Sequence, residues 1–333
     1  MAETSQSKIM VPALTQVAIV VKSDIEKIAD NYWNIFGIGP WDIFTIEPPT
    51  FFNQSYKGKS IEYGIRVGLC NCGPCQLELI QPTVGDGPFT DFLTEHGEWL
   101  HHVQYPVNTV AETIEHTKLF AKMGFPVLTD GYFGDGHYVY IDTVSVLKCI
   151  WEIIKMPSSI SAPAVRIPAK PDQKSLSKIK VKAITQVGLI VKDIEETMKN
   201  YWNILSIGPW EIIEAKPPIL HNLTFGHKPG NFSFKVASVT LGEVQLELLQ
   251  PLKGESIYTD FLYQHGEGLN NLQFFVDDIA ETNLRMHEAG CPVLMGGGFA
   301  DGNFAYYDTQ EALKCVLKAY EVPKLMPPRK RYP

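Results

Sequence analysis

Residues 13–49 read ALTQVAIVVKSDIEKIADNYWNIFGIGPWDIFTIEPP, and residues 183–218 read AITQVGLIVKDIEETMKNYWNILSIGPWEIIEAKPP. Later segments repeat in the same order: CQLELIQP against VQLELLQP, TDFLTEHGEWLHH against TDFLYQHGEGLNN, and LKCIWEIIKMP against LKCVLKAYEVP. Self-similarity at a fixed spacing indicates a duplicated unit, so the chain is two tandem copies of about 145–150 residues each.

The repeats divide the chain into two expected domains with short flanking pieces. Residues 13–157 form the first domain and residues 180–323 the second, and both have the length of an ordinary globular domain. Residues 158–179 are rich in Ser, Pro and Lys, which is the composition of an exposed linker. Residues 1–12 and 324–333 are expected to be tails, the second because prolines surround its basic residues.

Hydrophobic spacing divides each copy again, into two modules of one strand, one helix and three strands. VAIVV (17–21) is a β-branched run typical of a buried strand. Residues 24–36 place apolar side chains at helical spacing, with acids near the start where the helix dipole favours them. Three strand-like runs follow before the order repeats. We therefore predict an α+β fold in which four βαβββ modules pair into two curled mixed sheets.

Composition and charge exclude several classes of partner. The 333 residues carry 29 Lys and Arg against 37 Asp and Glu, a formal net charge of −8, whereas nucleic-acid binding requires clustered basic residues. No apolar run is long enough to cross a bilayer, and the polar residues 1–8 do not resemble a secretory signal. We expect a cytoplasmic protein with reduced cysteines and with no nucleic-acid or membrane partner.

The βαβββ pairing, opening with TQVAIVV and then YWNIFGIGPW, resembles the vicinal oxygen chelate superfamily, most closely methylmalonyl-CoA epimerase and glyoxalase I. The resemblance covers residues 13–157 and 183–323. In that family the first and last strands of each module supply four metal ligands. The resemblance implies as ligands in this chain Gln16, Glu78, His102 and Glu152. This set is similar to that of zinc-type glyoxalase I, whereas the epimerases have His at the first position.

Elementary chemistry also favours a metal at these positions. Glu78 and Glu152 lie inside apolar runs, where an ionised carboxylate is costly to bury without a counter-charge. A divalent cation supplies that charge and lowers both pKa values. One imidazole with carboxylate and amide oxygens suits Zn, Co, Ni or Mn. The alternative interpretations are acids on the solvent face of a strand and a structural histidine.

The second copy keeps only part of this ligand set. Gln186 and Glu247 match the first two positions, but Asn271 replaces the histidine and Lys318 replaces the second glutamate. Because an ammonium group neutralises a buried carboxylate by ion pairing, we predict that the second copy holds no metal.

The sequence leaves open which modules share a site. If modules exchange between copies, as in glyoxalase I, Gln186 and Glu247 join His102 and Glu152. Pairing within a copy is favoured, because the connection over residues 83–100 resembles that of the epimerases. Two fused copies have the domain content of a family dimer, so the chain is compatible with a monomer or a homodimer.

The resemblance implies chemistry beside a carbonyl group of a small-molecule substrate. A metal that chelates the carbonyl acts as a Lewis acid, and a nearby carboxylate removes or returns the proton on the adjacent carbon. Glu152 is the first candidate for this base. Glu62 is the second, with an exposed strand acid as its alternative interpretation. The predicted function is a metal-dependent isomerase or epimerase acting on a CoA thioester or a bulky ketone.

A glyoxalase-type lyase and a non-catalytic small-molecule binding protein are the competing predictions. A ring-cleaving dioxygenase is disfavoured, because it requires two histidines and one carboxylate and only one histidine falls at a ligand position. Cys70, Cys72 and Cys75 form a C-x-C-x-x-C cluster. Gly73 and Pro74 between them favour a structural turn over a role in metal binding or redox chemistry.

Overall fold

Two long sheets, one from each copy, carry the helices of the molecule on their faces. The computed structural model describes residues 9–170 and 173–332. The elements of the first half are β1 (Gln16–Val20), α1 (Ile25–Phe36), β2 (Trp41–Ile46), β3 (Phe51–Tyr56), β4 (Lys59–Ser60), β5 (Gly64–Cys72), β6 (Cys75–Val84), α2 (Pro88–His96), β7 (Trp99–Pro106), α3 (Val110–Lys122), β8 (Val127–Phe133), β9 (Gly136–Ile141), α4 (Val144–Leu147), β10 (Ile150–Lys155) and β11 (Val165–Ile167). Those of the second half are β12 (Gln186–Ile190), α5 (Ile194–Leu205), β13 (Trp210–Ala215), β14 (Leu220–Phe225), β15 (Lys228–Pro229), β16 (Ser233–Leu241), β17 (Val244–Lys253), α6 (Ile257–Gln264), β18 (Gly268–Phe275), α7 (Ile279–Glu288), β19 (Val293–Phe299), β20 (Gly302–Tyr307), α8 (Gln310–Leu313), β21 (Val316–Glu321) and β22 (Lys330–Tyr332).

Each sheet takes all its module strands from a single copy. The first has the order β11-β2-β5-β6-β1-β7-β10-β9-β8-β3-β4, and the second has the order β15-β14-β19-β20-β21-β18-β12-β17-β16-β13-β22. At the centre of the first sheet, β1 runs parallel to β6 and antiparallel to β7, and β7 runs parallel to β10. The predicted α+β fold of paired modules is confirmed, and the modules pair within a copy.

The repeated helix sequence produces the same local structure in both halves. Asp24 precedes α1 and Asp193 precedes α5, and each side chain accepts a hydrogen bond from a backbone N–H in the first turn of its helix. Such caps satisfy donors that the helix itself leaves unpaired. Both helices end at a residue in the left-handed conformation, Gly37 in one and Ser206 in the other.

Reciprocal hydrogen bonds join the two halves. The hydroxyl of Tyr32 on α1 donates to the carbonyl oxygen of Leu313, at 3.0 Å, and the hydroxyl of Tyr201 on α5 donates to that of Leu147, at 2.8 Å. All four residues are buried in an apolar core that continues from one half into the other. The duplication therefore builds a two-fold-like interface from equivalent residues, and the interface fixes both sheets relative to one another.

The cysteine cluster lies in the β5–β6 hairpin, which packs against the second half. The carbonyl oxygen of Cys72 accepts a hydrogen bond from the backbone N–H of Ile184 at 3.0 Å. Cys70, Cys72 and Cys75 are buried free thiols. Burial raises all three pKa values, that of Cys72 to about 11, so the thiolate form needed for metal or redox chemistry is disfavoured. The cluster serves packing.

The linker and the C-terminal tail each contribute a strand, which their composition did not predict. β11, within residues 158–179, pairs with β2, and β22, within residues 324–333, pairs with β13. Both additions cover strands that would otherwise be exposed sheet edges. The predicted N-terminal tail lies outside the described residues up to residue 8, as do residues 171, 172 and 333.

Three further elements of the first half were not predicted: the hairpin β3–β4, which pairs with β8 at the far end of the sheet, the helix α2 between the modules, and the short α4 before β10.

Within residues 9–170 and 173–332, no helix has the length and apolar character required to cross a membrane.

Candidate metal centre

Three of the predicted ligands converge where four central strands lie side by side. His102 lies on β7, with Glu78 on β6 and Glu152 on β10. The His102 Nε2 atom is 3.1 Å from Glu152 Oε2 and 3.4 Å from Glu78 Oε2. One ligand atom from each of the three residues lies within 4.8 Å of the others. This spacing suits a single ion bound between them.

Gln16 on β1 lies at the same cavity, held by its neighbours. Its Oε1 accepts a hydrogen bond from Gln104 Nε2 at 2.6 Å, and its Nε2 donates to Gln76 Oε1 at 2.6 Å. The Gln104 amide also donates to Glu152 Oε2 at 3.3 Å. An amide oxygen has two lone pairs, so Gln16 Oε1 retains one for an ion. All four predicted ligands are therefore brought together.

Sequence reasoning missed Gln104, which links two of the predicted ligands. Its position carried a usable signal, because residues two apart on a strand face the same side and Gln104 follows His102 by two. The second half repeats this arrangement, with Gln273 two residues after Asn271.

A β-bulge positions the imidazole of His102. In the pairing of β1 with β7, Ala18 faces His102 while Ile19 faces Leu100, so His101 is the extra residue. The bulge places His101 Nδ1 2.8 Å from His102 Nδ1. Burial, followed by the charge of His102, lowers the pKa of His101 well below its ordinary value, so His101 is a neutral partner. A hydrogen bond of this kind orients a ligating histidine.

The pKa shifts at the site indicate that its buried carboxylates are stabilised by a nearby positive charge. Burial raises the pKa of Glu78, although the nearby imidazole of His102 opposes the rise. Burial also disfavours a charged His102, but the adjacent carboxylates of Glu152 and Glu78 outweigh it and raise the pKa of His102 to about 9. Without an ion, a proton on His102 thus provides the counter-charge for the carboxylates.

The donor set fits a divalent ion. Glu78 Oε2 is buried and has no hydrogen-bond partner, and it is the atom that faces His102 Nε2. A buried oxygen left without a donor is costly, and coordination to a cation removes that cost. One imidazole, two carboxylates and one amide oxygen suit Zn, Co, Ni or Mn.

The cavity above these residues is small and mainly apolar, with aromatic and aliphatic side chains in its walls. It has a volume of about 80 Å³. The hydroxyl groups of Tyr63 and Tyr138 lie 2.8 Å apart in its wall, and the ring of Tyr140 lies 4.6 Å from that of His102. These tyrosines were not predicted as site residues, although the alternation in YVY (138–140) already placed two of them on one strand face.

The structure does not bring Glu62 into the site. Its side chain is exposed in the segment before β5, and the neighbouring Tyr63 lines the cavity instead. Neighbouring residues of an extended chain point to opposite sides, which explains why the acid faces solvent.

At the equivalent position of the second half, a lysine side chain supplies the positive charge. Lys318 Nζ donates to Glu247 Oε2 at 2.9 Å and to Glu247 Oε1 at 3.1 Å, and both residues are buried. Asn271, at the histidine position, donates from Nδ2 to Asn270 Oδ1 at 3.2 Å. The ion pair expected from the sequence is therefore present at this position.

The chain belongs to the Glyoxalase/Bleomycin resistance protein/Dioxygenase superfamily, whose profile matches residues 15–141 and again residues 185–307. This match confirms the vicinal oxygen chelate resemblance and its tandem arrangement.

Solved structures and a curated protein give weaker likenesses. A mutant of 4-hydroxymandelate synthase from Streptomyces coelicolor is similar with a TM-score of 0.58 and 12% identity, over 95% of this chain and 94% of that one. At this identity the likeness shows the fold alone. BphC, a halotolerant catechol dioxygenase, has a TM-score of 0.48 and 11% identity over 97% of this chain and 92% of its own. The uncharacterized protein YqjC of Bacillus subtilis is 28% identical over 80 residues, which cover 22% of this chain and 57% of that protein.

Proposed function

We propose that the first half is a metal-dependent enzyme that moves the proton on the carbon next to a carbonyl group, as an isomerase or epimerase does. The observation that carries this proposal is the meeting of one imidazole and two carboxylates within 4.8 Å at a buried cavity. A divalent ion bound by Glu78, His102, Glu152 and Gln16 would supply Lewis-acid stabilisation of negative charge on the carbonyl oxygen.

Glu152 is the proposed base. Its Oε2 lies 3.1 Å from His102 Nε2 and accepts a hydrogen bond from Gln104 Nε2 at 3.3 Å, so the carboxylate has a fixed orientation. It lies on a central strand whose backbone is held on both sides by β7 and β9. A carboxylate held in this way takes the proton from the adjacent carbon and returns it, which is general-base catalysis. Because Glu62 faces solvent, a one-base isomerisation is favoured over a two-base epimerisation.

The size of the cavity limits what enters it. A volume of about 80 Å³ is smaller than the ~150 Å³ that accommodates a benzene ring. The reacting carbonyl fragment therefore occupies the cavity, and the rest of a CoA thioester or bulky ketone stays outside it. Apolar walls would reduce the water around the fragment, which strengthens the electrostatic interactions there.

The position of the second histidine argues against a dioxygenase. The metal site of such an enzyme needs two imidazoles and one carboxylate. Here His101 Nδ1 faces His102 Nδ1, on the side away from Glu78 and Glu152, so it does not complete that set. A glyoxalase-type lyase uses the same ligands and remains the competing proposal, followed by a protein that binds without catalysis.

Proton exchange with solvent tests this proposal. The metal-loaded protein is incubated in deuterated water with a panel of small ketones and acyl thioesters, and mass spectrometry measures deuterium on the carbon next to the carbonyl. We expect exchange in the native protein and a loss of about 10²-fold or more in Glu152→Gln, because general bases contribute on that scale. Glu62→Gln is the matched control and should exchange at the native rate. Undiminished exchange in Glu152→Gln would contradict the assigned base, and binding without exchange would support the non-catalytic alternative.

A further inference from the structure

The second half contains the larger cavity of the two equivalent sites. Its volume is about 240 Å³, against about 80 Å³ in the first half. Aromatic side chains make up much of its wall, among them Phe234, Tyr258, Phe299, Phe304, Tyr306 and Tyr320. A cavity of ~150 Å³ with apolar walls accommodates a benzene ring, so this one has room for a ring with a substituent.

The floor of this cavity is electrically neutral. The ammonium of Lys318 and the carboxylate of Glu247 form a buried pair at 2.9 Å. An ammonium group has three donors, of which the two carboxylate oxygens occupy two. At the rim, Arg329 is paired with Glu211 at 2.8 Å, so the charges there also cancel. A charged ligand would meet an unfavourable partner of the same sign in each pair.

Gln186 provides a donor that lacks a partner. Its side chain is 3% exposed and lines the cavity, and its Nε2 makes no hydrogen bond. The equivalent Nε2 of Gln16 in the first half donates to Gln76 Oε1 at 2.6 Å. A buried donor without an acceptor is costly, so a rotation of the Gln186 amide that brings Nε2 to an acceptor on a bound molecule would stabilise this half.

We propose that this cavity is a metal-free binding site for an uncharged compound with a flat aromatic ring and a carbonyl oxygen. The ring packs between the aromatic walls, and the oxygen accepts hydrogen bonds from Gln186 and from the remaining donor of Lys318. The site is separate from the metal centre, so it functions whether or not the first half has its proposed activity.

Three matched fluorinated probes test the proposal by ¹⁹F NMR: 4-fluoroacetophenone, 1-ethyl-4-fluorobenzene, which lacks the acceptor, and 4-fluorobenzoate, which is charged. A chelator is present throughout to prevent binding of the ketone to a metal in the first half. We expect the ketone to bind one site per chain, at least about fivefold more tightly than either of the other probes, because one hydrogen bond contributes on that scale.

Two variants assign the binding to this cavity. In Lys318→Met combined with Glu247→Leu, the ion pair is replaced by apolar side chains of similar size, which preserves folding. This variant should lose the preference for the ketone over the ethyl probe. His102→Asn, which gives the first half the residue found in the second, should retain the native preference. Equal binding of all three probes to the native protein, no binding of the ketone, or loss of the preference in His102→Asn but not in the double variant would each overturn the proposal.

Discussion

The ammonium nitrogen of Lys318 lies 2.9 Å from Oε2 of Glu247, in the strand position that Glu152 occupies in the first half. One copy therefore holds two carboxylates beside an imidazole, a set that could hold a metal ion. The other copy supplies the cation from its own sequence. The difference lies in the last two positions of the set, where Asn271 and Lys318 stand in place of His102 and Glu152.

Removing the ammonium group alone should destabilise the protein. In Lys318→Met the carboxylate of Glu247 would stay buried without a counter-charge, and such losses cost about 3–5 kcal/mol. Adding Glu247→Leu should restore most of the stability, because an apolar pair needs no compensation. Urea unfolding of the two variants and the native protein measures both effects. A single variant as stable as the native protein would show that the pair is not buried as described.

The second half should gain a metal site by two substitutions. Asn271→His and Lys318→Glu recreate the first-half ligand set, since Gln186 and Glu247 are already in place. Space is available, because Gly188 lies opposite Asn271 where Ala18 lies opposite His102. Elemental analysis should then find one more ion per chain than in the native protein. An unchanged metal content would indicate that the surrounding residues of this half no longer support coordination.

The stability of the metal-free protein should fall in mildly alkaline solution. The carboxylates raise the pKa of His102 to about 9 against burial, above the ordinary 6.5. A raised folded-state pKa stabilises the folded protein fully below about 6.5, and this contribution is lost as the pH rises through about 9. Urea unfolding with a chelator, at intervals from pH 6.5 to 9.5, measures the slope. His102→Gln should lack this component, and parallel curves for the two proteins would contradict the linkage.

The central elements of the fold could be predicted from the sequence because their signals are local and occur twice. The β-branched run before α1, the early acids and the terminal glycine determine that strand and helix without long-range information. The hairpin β3–β4, β11 and β22 could not be predicted in the same way. Each is short and lacks a clear alternating apolar pattern, and each is stabilised by pairing with a strand that is distant in sequence.

The residues that converge at the candidate site were predicted where the family pattern fixed a strand position, and missed where side-chain contacts determine the arrangement. Glu78, His102 and Glu152 follow from equivalent strand positions. The roles of His101 and Gln104 depend on a bulge and on side-chain hydrogen bonds across strands, which the sequence does not specify. Glu62 was predicted as the second candidate base, but in the extended segment before β5 it faces solvent while Tyr63 lines the cavity.

Metal content tests the central claim most directly. The native protein is dialysed against buffer freed of trace metals, and a slight excess of Zn²⁺ or Mn²⁺ is then added. Unbound ions are washed away, and the bound metal per chain is measured. The site geometry predicts one ion per chain in the native protein and none in His102→Ala, with circular dichroism confirming that the variant is folded. A native protein that retains no ion, or a folded His102→Ala that retains as much as the native protein, would contradict the metal centre.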